Sequence, residues 1–192
     1  MHCASLRLPM SGAGSPQIER TIVLVGMMGT GKSSVGRKLA KRLDVPFVDA
    51  DQEIEKAAGC PISDIFEIDG EKIFRDGERR VIARLLKGPP HVLATGGGAF
   101  MDPRTRANIS RHGTSVWLRA APEALVRRLR RRTDRPLLRT DDPAATLRAL
   151  LAEREPVYAK ADITVASDQG TAEDTVNRIL SALGAARRSK AS

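Results

Sequence analysis

The chain has 192 residues, of which 41% are hydrophobic and 3% aromatic, and its formal net charge at pH 7 is +9. This length supports one domain with an aliphatic core, and the scarcity of aromatic rings argues against a base-stacking surface for single-stranded nucleic acid. Cys3 and Cys60 show neither metal-ligand nor redox spacing, and no signal-peptide or membrane-length apolar segment is present. We therefore expect a cytoplasmic protein that does not enter a membrane.

The two ends of the chain differ in composition from its middle. Residues 1–20 combine Ser, Gly and Pro without a sustained hydrophobic period, which predicts a flexible N-terminal extension. Residues 186–192 are predicted to be a basic tail. We expect a single folded domain over residues 21–185.

A strand followed by a glycine-rich loop begins this domain. Residues 21–25 are a β-branched apolar run typical of a buried strand, and residues 26–33 match the pattern G-x-x-x-x-G-K-[ST]. In this pattern glycines bring backbone N–H groups close to a polyphosphate, Lys32 reaches the terminal oxygens and the Ser33 hydroxyl can bind Mg²⁺. An ordinary glycine-rich turn is the alternative, and the flanking strand and helix argue against it.

The rest of the domain alternates short apolar runs with amphipathic stretches, which is typical of a parallel sheet wrapped by helices. The predicted strands are residues 21–25, 46–48, 91–94, 115–118 and 163–166. Predicted helices begin at residues 32, 52, 63, 71, 103, 122, 144 and 172, and the last one ends near residue 183. The expected fold class is therefore α/β, with helices around five parallel strands.

Two segments exceed what a minimal connection between strands needs. Residues 52–88, approximately, hold two or three helices between consecutive strands, and we interpret them as a substrate-binding insert. Residues 130–143, approximately, are polar and interrupted by Pro136 and Pro143. This composition predicts a mobile loop, or lid, over the phosphate site.

Two carboxylates follow the second predicted strand. Asp49 and Asp51 lie where ligands bind in open α/β sheets, and alternation would put them on one side if the strand continued. One could then hold a water of the metal while the other accepts a proton from a substrate hydroxyl. Capping of the next helix by Asp51 is the structural alternative.

Three consecutive glycines, Gly96, Gly97 and Gly98, follow the third predicted strand. They lose much conformational entropy on folding, which favours a turn whose backbone approaches a substrate over a merely flexible turn. No acidic residue directly ends this strand, so Asp49 is the better candidate partner of the metal.

Arginines supply the remaining candidate groups. Arg75, with Glu78 in the insert, could pair with a substrate carboxylate, although composition favours an exposed helical salt bridge there. Arg154 is similarly ambiguous, because Glu153 and Glu155 flank it. Arg135 lies in the predicted lid, where closure would bring it onto the transferred phosphate.

The other ring side chains receive no chemical role from the sequence. We expect Trp117 and Tyr158 to pack in the core, and His2, His91 and His112 to lie at surface or turn positions. No Ser-His-Asp or zinc-ligand pattern is present, which argues against those chemistries.

Taken in chain order, six motifs strongly resemble the shikimate kinase family over about residues 20–185. They are the phosphate loop, Asp49-Ala50-Asp51, Phe74-Arg75 with Glu78, Gly96-Gly97-Gly98, Arg135-Pro136-Leu137-Leu138 and Leu151-x-x-Arg154-x-x-x-Tyr158. The resemblance implies the three-layer P-loop NTPase fold with a five-stranded parallel sheet, a substrate-binding helical insert and a lid. It also implies transfer of the ATP γ-phosphoryl group to the 3-hydroxyl of shikimate, giving shikimate 3-phosphate and ADP, in aromatic amino-acid biosynthesis.

The resemblance further implies a role for each candidate residue. Asp51 is the candidate base, Lys32 and Arg135 act on the transferred phosphoryl group, and Mg²⁺ is expected at Ser33 and, through water, at Asp49. The residues expected to bind shikimate are Asp51, Arg75, Glu78, Gly97, Gly98 and Arg154. The residues expected to bind ATP are Gly29, Thr30, Gly31, Lys32, Ser33, Ser34, Arg128, Arg135 and Gln169, of which Arg128 and the loop 167–170 would lie at the adenine.

Three other functions fit parts of the sequence. A different small-molecule P-loop kinase, such as a gluconate-type enzyme, would keep the loop and change the insert. A basic, nucleotide-dependent nucleic-acid-binding module is motivated by the net charge and the arginine-rich stretch 127–139. A GTP-binding switch would need an Asn-Lys-x-Asp segment, which is missing. We expect ATP and shikimate as partners, no nucleic acid, and a monomer.

Overall fold

Five strands form the centre of the computed structural model, which describes residues 18–129 and 142–191. The strands are Thr21–Val25 (β1), Phe47–Asp49 (β2), Val92–Ala94 (β3), Gly113–Arg119 (β4) and Ile163–Ala166 (β5). The helices of the described residues are Lys32–Leu43 (α1), Ala50–Ala58 (α2), Ile62–Ile68 (α3), Gly70–Leu85 (α4), Pro103–His112 (α5), Pro122–Leu129 (α6), Pro143–Tyr158 (α7) and Ala172–Ala191 (α8). A single 3₁₀ turn, Ala99–Met101, lies between β3 and α5.

The strand order is β2-β3-β1-β4-β5, and every neighbouring pair is parallel. The chain forms β2 and β3 on one side of β1 and β4 and β5 on the other side, so the strand order reverses at β1. Ligands of open α/β sheets bind outside the carboxyl ends of the strands at such a reversal. The loop between β1 and α1 lies at this position.

Alternate residues of β1 face two different hydrophobic layers. Ile22 and Leu24 belong to a cluster with side chains of α1 and α8. Val23 and Val25 belong to a second cluster with side chains of α4, α5 and α7. Because helices cover both faces of the central strand, its residues are apolar without alternation. The predicted α/β fold with a five-stranded parallel sheet is confirmed.

The predicted insert has a small core of its own. Helices α2, α3 and α4 pack against one another, and Ile54, Ile65 and Phe74 form a buried cluster between them. Arg79 of α4 forms an ion pair with Asp102, which begins α5, at 3.1 Å. This ion pair therefore connects the insert to the segment that follows β3.

Capping signals in the sequence correspond to helix starts in the structure. Asp102 and Asp142 accept hydrogen bonds from backbone N–H groups in the first turns of α5 and α7, each ahead of a proline. Thr171 and Asp174 exchange hydrogen bonds at the start of α8, which is the reciprocal pattern of a capping box.

Several predicted boundaries need correction. Helix α2 begins at Ala50 rather than Gln52, because the side chain of Asp49, and not that of Asp51, caps it. Helix α8 continues to Ala191, so most of the predicted basic tail is helical. Its extension past Leu183 packs on the core cluster that includes α1. No helix among the described residues is long and apolar enough to cross a bilayer.

Two residues expected near the surface are buried. Ile18, from the predicted N-terminal extension, packs in the same cluster as β1, while residues 1–17 lie outside the described residues. His91 is only 5% exposed, and its Nδ1 lies 2.9 Å from the carbonyl oxygen of Pro89 and 3.3 Å from the hydroxyl of Thr21. The prediction for His91 was wrong because the residue directly precedes an interior strand.

Candidate active site

The loop between β1 and α1 has the backbone geometry of an anion site. Gly26, Gly29 and Gly31 have φ angles of 135°, 80° and 87°, a left-handed region that residues with a Cβ rarely adopt. Gly31 directly precedes α1, and no described side chain caps that helix. The first N–H groups of α1, which carry the positive end of the helix dipole, are therefore available to a bound anion.

The Lys32 side chain folds back over this loop. Its Nζ donates hydrogen bonds to the carbonyl oxygens of Gly26 and Met27, at 2.8 Å and 2.9 Å. The ammonium group thus lies next to the loop that would hold a polyphosphate. A charged group in this position can bind the terminal phosphate oxygens.

Ser33 and Asp49 form an oxygen pair beside the loop. The Ser33 hydroxyl donates to Asp49 Oδ2 at 2.8 Å, while Asp49 Oδ1 accepts from the backbone N–H of Asp51 at 3.2 Å. Hydroxyl and carboxylate oxygens are the ligands that Mg²⁺ prefers, and Mg²⁺ at nucleotides takes few protein ligands. The described residues contain no group of three His, Cys, Asp or Glu that could hold a metal unaided. The pair therefore fits a cation that nucleotide phosphates help to bind.

Asp51 and Glu78 meet at the first glycine after β3. A Cβ on Gly96 would lie 2.8 Å from Asp51 Oδ1 and 2.8 Å from Glu78 Oε1. A Cβ at this position would therefore force these carboxyl groups to move from where they lie. The predicted reason for placing Asp49 and Asp51 together was wrong, since β2 ends at Asp49 and α2 then begins, yet both residues line one cavity.

Arg75 combines the two roles that the sequence left open. Its guanidinium forms ion pairs with Glu78 at 2.8 Å and with Glu71 at 3.2 Å, which is the predicted helical salt bridge. A Cβ on Gly98 would lie only 2.6 Å from the Arg75 Nη1 atom. The guanidinium therefore lies directly on the glycine backbone while its side chain stays 30% exposed.

Glu78 is a buried carboxyl group with one unpaired oxygen. It is 3% exposed, and its Oε1 has no hydrogen-bond partner among the described residues. Burial raises the pKa of Glu78, Arg75 opposes this rise, and the negative charges of Asp51 and Asp102 add to it. A hydrogen-bonding group of a substrate could satisfy the free oxygen.

Helix α7 contributes Arg154 and Tyr158 to the same place. The Tyr158 hydroxyl donates to the carbonyl oxygen of Gly97 at 2.5 Å, and Arg154 lies near enough to this hydroxyl to influence its pKa. Burial raises the pKa of Tyr158 to about 12, against the opposing positive charges of Arg154 and Arg75. Two guanidinium groups from different helices thus lie near one tyrosine oxygen.

Arg128 joins the loop to the segment after β5. Its guanidinium donates to the carbonyl oxygen of Gly29 at 3.2 Å and to that of Ser167 at 2.7 Å. Ser167 and Gly170 line the same cavity as the loop, but Gln169 does not and lines another cavity beside Arg148. The loop after β5 therefore lines this cavity through Ser167 and Gly170, and not through Gln169, which the sequence analysis assigned to ATP.

A cavity of about 430 Å³ connects most of the predicted residues. The predicted residues that line it are the loop residues 29–34, Asp49, Asp51, Gly97 and Arg128. Arg75, Glu78, Gly98 and Arg154 adjoin it at the glycine segment rather than lining it. Arg135 and residues 130–141 of the predicted lid lie outside the described residues.

Sequence reasoning missed two contributors to this site. Gly96 was recognised only as part of a glycine run, although its lack of a side chain admits Asp51 and Glu78. Tyr158 was assigned to packing, although its hydroxyl bonds to Gly97. Its spacing of four residues from Arg154, one helical turn, was the available signal.

Comparisons with known proteins agree on one family. The model of the family described as "Shikimate kinase" matches residues 28–184. A shikimate kinase of Nitrobacter winogradskyi is 64% identical over 148 residues, covering 77% of this chain and 69% of that protein. A shikimate kinase of Ruegeria pomeroyi is 56% identical over 171 residues, covering 88% of each. The solved structure of shikimate kinase from Acinetobacter baumannii in complex with shikimate is 40% identical, with a TM-score of 0.81, covering 88% of this chain and 93% of that chain.

Proposed function

The chain belongs to the shikimate kinase family, and we propose that it transfers the γ-phosphoryl group of ATP to the 3-hydroxyl of shikimate. The products are shikimate 3-phosphate and ADP, in the pathway to the aromatic amino acids. One observation carries the proposal. The phosphate loop, the Ser33–Asp49 pair and the Asp51 carboxylate line one cavity, and two arginines adjoin that cavity at the glycine segment after β3.

The nucleotide side uses mainly backbone groups. N–H groups of residues 29–34 at the start of α1 bind the phosphates, and Lys32 exchanges its loop carbonyls for phosphate oxygens. Arg128, held between Gly29 and Ser167, packs against the adenine. Gln169 stays a prediction for the same base, with less support because it lines another cavity.

Ser33 directly, and Asp49 through water, would hold the Mg²⁺ that accompanies ATP. The 2.8 Å contact between their oxygens supports this assignment. When bound, the cation neutralises charge on the β- and γ-phosphates.

The acceptor side uses side chains from several elements. Asp51 holds the reacting hydroxyl and accepts its proton as the oxygen attacks phosphorus. Arg75 and Arg154 bind the carboxylate of shikimate, and the Gly97 and Gly98 backbone and Glu78 complete the pocket. The close contact between Arg75 and Gly98 supports a shared binding surface.

Arg135 completes the proposed chemistry from the lid. Its guanidinium would stabilise the charge that develops on the transferred phosphoryl group. Because phosphoryl transfer depends on positioning and charge neutralisation, these contacts supply most of the catalysis.

Coupled measurement of ADP release at fixed Mg²⁺ tests the proposal. We expect turnover that depends strongly on shikimate, with little turnover on gluconate or without an acceptor. Turnover on gluconate alone would assign the chain to another small-molecule kinase, and equal turnover without any acceptor would contradict the proposal. A monomer in gel filtration and a cytoplasmic location remain predictions that accompany it.

A further inference from the structure

The hydroxyl of Tyr158 makes a contact that packing of the ring does not require. The side chain is 0% exposed and lies in the last turn of α7. A phenylalanine ring would fill the same apolar space, whereas the hydroxyl donates a 2.5 Å hydrogen bond to Gly97, 61 residues away in sequence. A buried hydroxyl needs such a partner, and this partner belongs to the acceptor side of the site.

Arg154, one turn earlier on α7, lies near the same oxygen, and its charge and hydrogen-bonding capacity oppose the rise in the pKa of Tyr158. A tyrosine hydroxyl has one donor proton and two acceptor lone pairs, so it can donate to Gly97 while it accepts from Arg154. The charge of Arg75 also acts on this group. The hydroxyl of Tyr158 therefore lies between the backbone carbonyl of Gly97 and the guanidinium of Arg154, both of which belong to the proposed acceptor side.

Aromatic packing holds the ring in one orientation. The Trp117 ring of β4 lies 5.8 Å from it, centroid to centroid, and the Phe100 ring of the 3₁₀ turn lies 6.5 Å from it. Both rings are stacked on Tyr158 and are themselves nearly buried. A ring confined in this way presents its hydroxyl at a fixed point.

We propose that Tyr158 is a positioning residue, which sets the affinity for the acceptor by fixing Arg154 and the Gly97 carbonyl relative to each other. This inference rests on the proposed function, because it assumes that Arg154 binds the acceptor carboxylate. The nucleotide side makes no contact with Tyr158 among the described hydrogen bonds, so affinity for ATP should not depend on it.

Steady-state kinetics of Tyr158→Phe provide the first test. We expect the KM for shikimate to rise about tenfold, the size expected for one or two lost hydrogen bonds, with the KM for ATP and kcat within about twofold of wild type. Val157→Ala is the matched control. It removes packing from the same cluster without touching a polar group, and it should lower stability while leaving the KM for shikimate unchanged. An unchanged KM in Tyr158→Phe, or an equal rise in the control, would overturn the inference.

A double-mutant cycle separates positioning from a general structural effect. If Tyr158 acts through Arg154, the Tyr158→Phe change should have little further effect on the KM for shikimate in an Arg154→Lys background. Fully additive effects would overturn the inference. Wild-type enzyme without shikimate-dependent turnover would instead contradict the proposed function, so the two failures are distinguishable.

One measurement needs no substitution that could impair folding. Tyr158 is the single tyrosine of the chain, so 3-fluorotyrosine labels this site alone. We expect its ¹⁹F resonance to shift when shikimate is added and to stay in place when ATP analogue is added without shikimate. A resonance that responds to neither ligand, or to the nucleotide alone, would contradict the inference.

Discussion

The nucleotide side and the acceptor side of this site are built in different ways. In the proposed assignment, phosphate groups contact one continuous stretch, residues 26–34, whose glycine conformations and helix start are local features. The acceptor would contact side chains and backbone from α2, α4, the segment after β3 and α7, which are brought together by the sheet order.

Single substitutions should therefore affect binding of the nucleotide and binding of the acceptor differently. Backbone N–H groups remain when a side chain is replaced, so nucleotide binding should tolerate many changes around it. A single substitution removes a side-chain carboxylate or guanidinium group. Binding of the acceptor, and the choice of acceptor, should therefore be easier to abolish or change. Lys32, Ser33 and Arg128 are exceptions, since each contributes a side chain to the nucleotide side.

Replacing the candidate base should have the largest effect. In Asp51→Asn we expect kcat to fall by about 10³-fold, within the usual range for loss of a general base, while the KM for ATP changes little. Single-turnover kinetics with saturating substrates would measure the chemical step. Turnover near the wild-type rate would remove Asp51 from the chemistry and leave only the arginines to define the acceptor side.

Loss of the insert arginine should come next. In Arg75→Ala we expect the KM for shikimate to rise about 100-fold, or about 2.7 kcal/mol of binding, with the KM for ATP retained. Arg84→Ala removes a more exposed arginine of the same helix and should leave both KM values unchanged. If the KM for ATP rose equally in Arg75→Ala, the division into two sides would be wrong.

The opposite pattern is expected on the nucleotide side. In Arg128→Ala the KM for ATP should rise about tenfold, because the loop and the segment after β5 lose their shared donor, while the KM for shikimate stays constant. Arg127→Ala, an exposed neighbour on the same helix, is the control. Isothermal titration with an ATP analogue would check the affinity independently of turnover.

The smallest effect should be a pH dependence of stability. Burial raises the pKa of Glu78, so the native state keeps a proton that the unfolded chain loses as the pH rises through the ordinary glutamate range. The free energy of unfolding of the wild type should therefore fall, relative to Glu78→Gln, as the pH rises from that range to the raised pKa. Urea denaturation of both proteins at several pH values measures this difference. If the free energy of unfolding of the wild type rose with pH relative to that of Glu78→Gln, the burial argument would be contradicted.

Much of the nucleotide side was predictable because its information is contiguous. Helix α1 begins at Lys32, as predicted, and the loop before it has the glycine geometry that the motif requires. In the structure, Asp102 and Asp142 likewise begin helices by accepting hydrogen bonds from backbone N–H groups two or three residues further along the chain. These features depend on interactions within a few residues.

The acceptor side was predictable only as a set of candidate residues. For Arg75 the sequence could not decide between a salt bridge and a substrate contact, and the structure shows the ion pairs and the contact with Gly98 together. The burial of His91 and the hydrogen bond of the correctly predicted core residue Tyr158 were missed, because their partners come from elements far away in the chain.

The amino-acid sequence by itself determined the phosphate loop, the alternation of strands and helices, and the family resemblance, because each follows from residues near one another or from motifs in a given order. Only the tertiary structure decided which carboxylate caps α2, which carboxyl groups lie against Gly96, and which hydroxyl bonds to Gly97 close to Arg154. The physical reason is that hydrogen bonds and steric limits act over a few ångströms in space, and the sheet order sets which distant residues come that close.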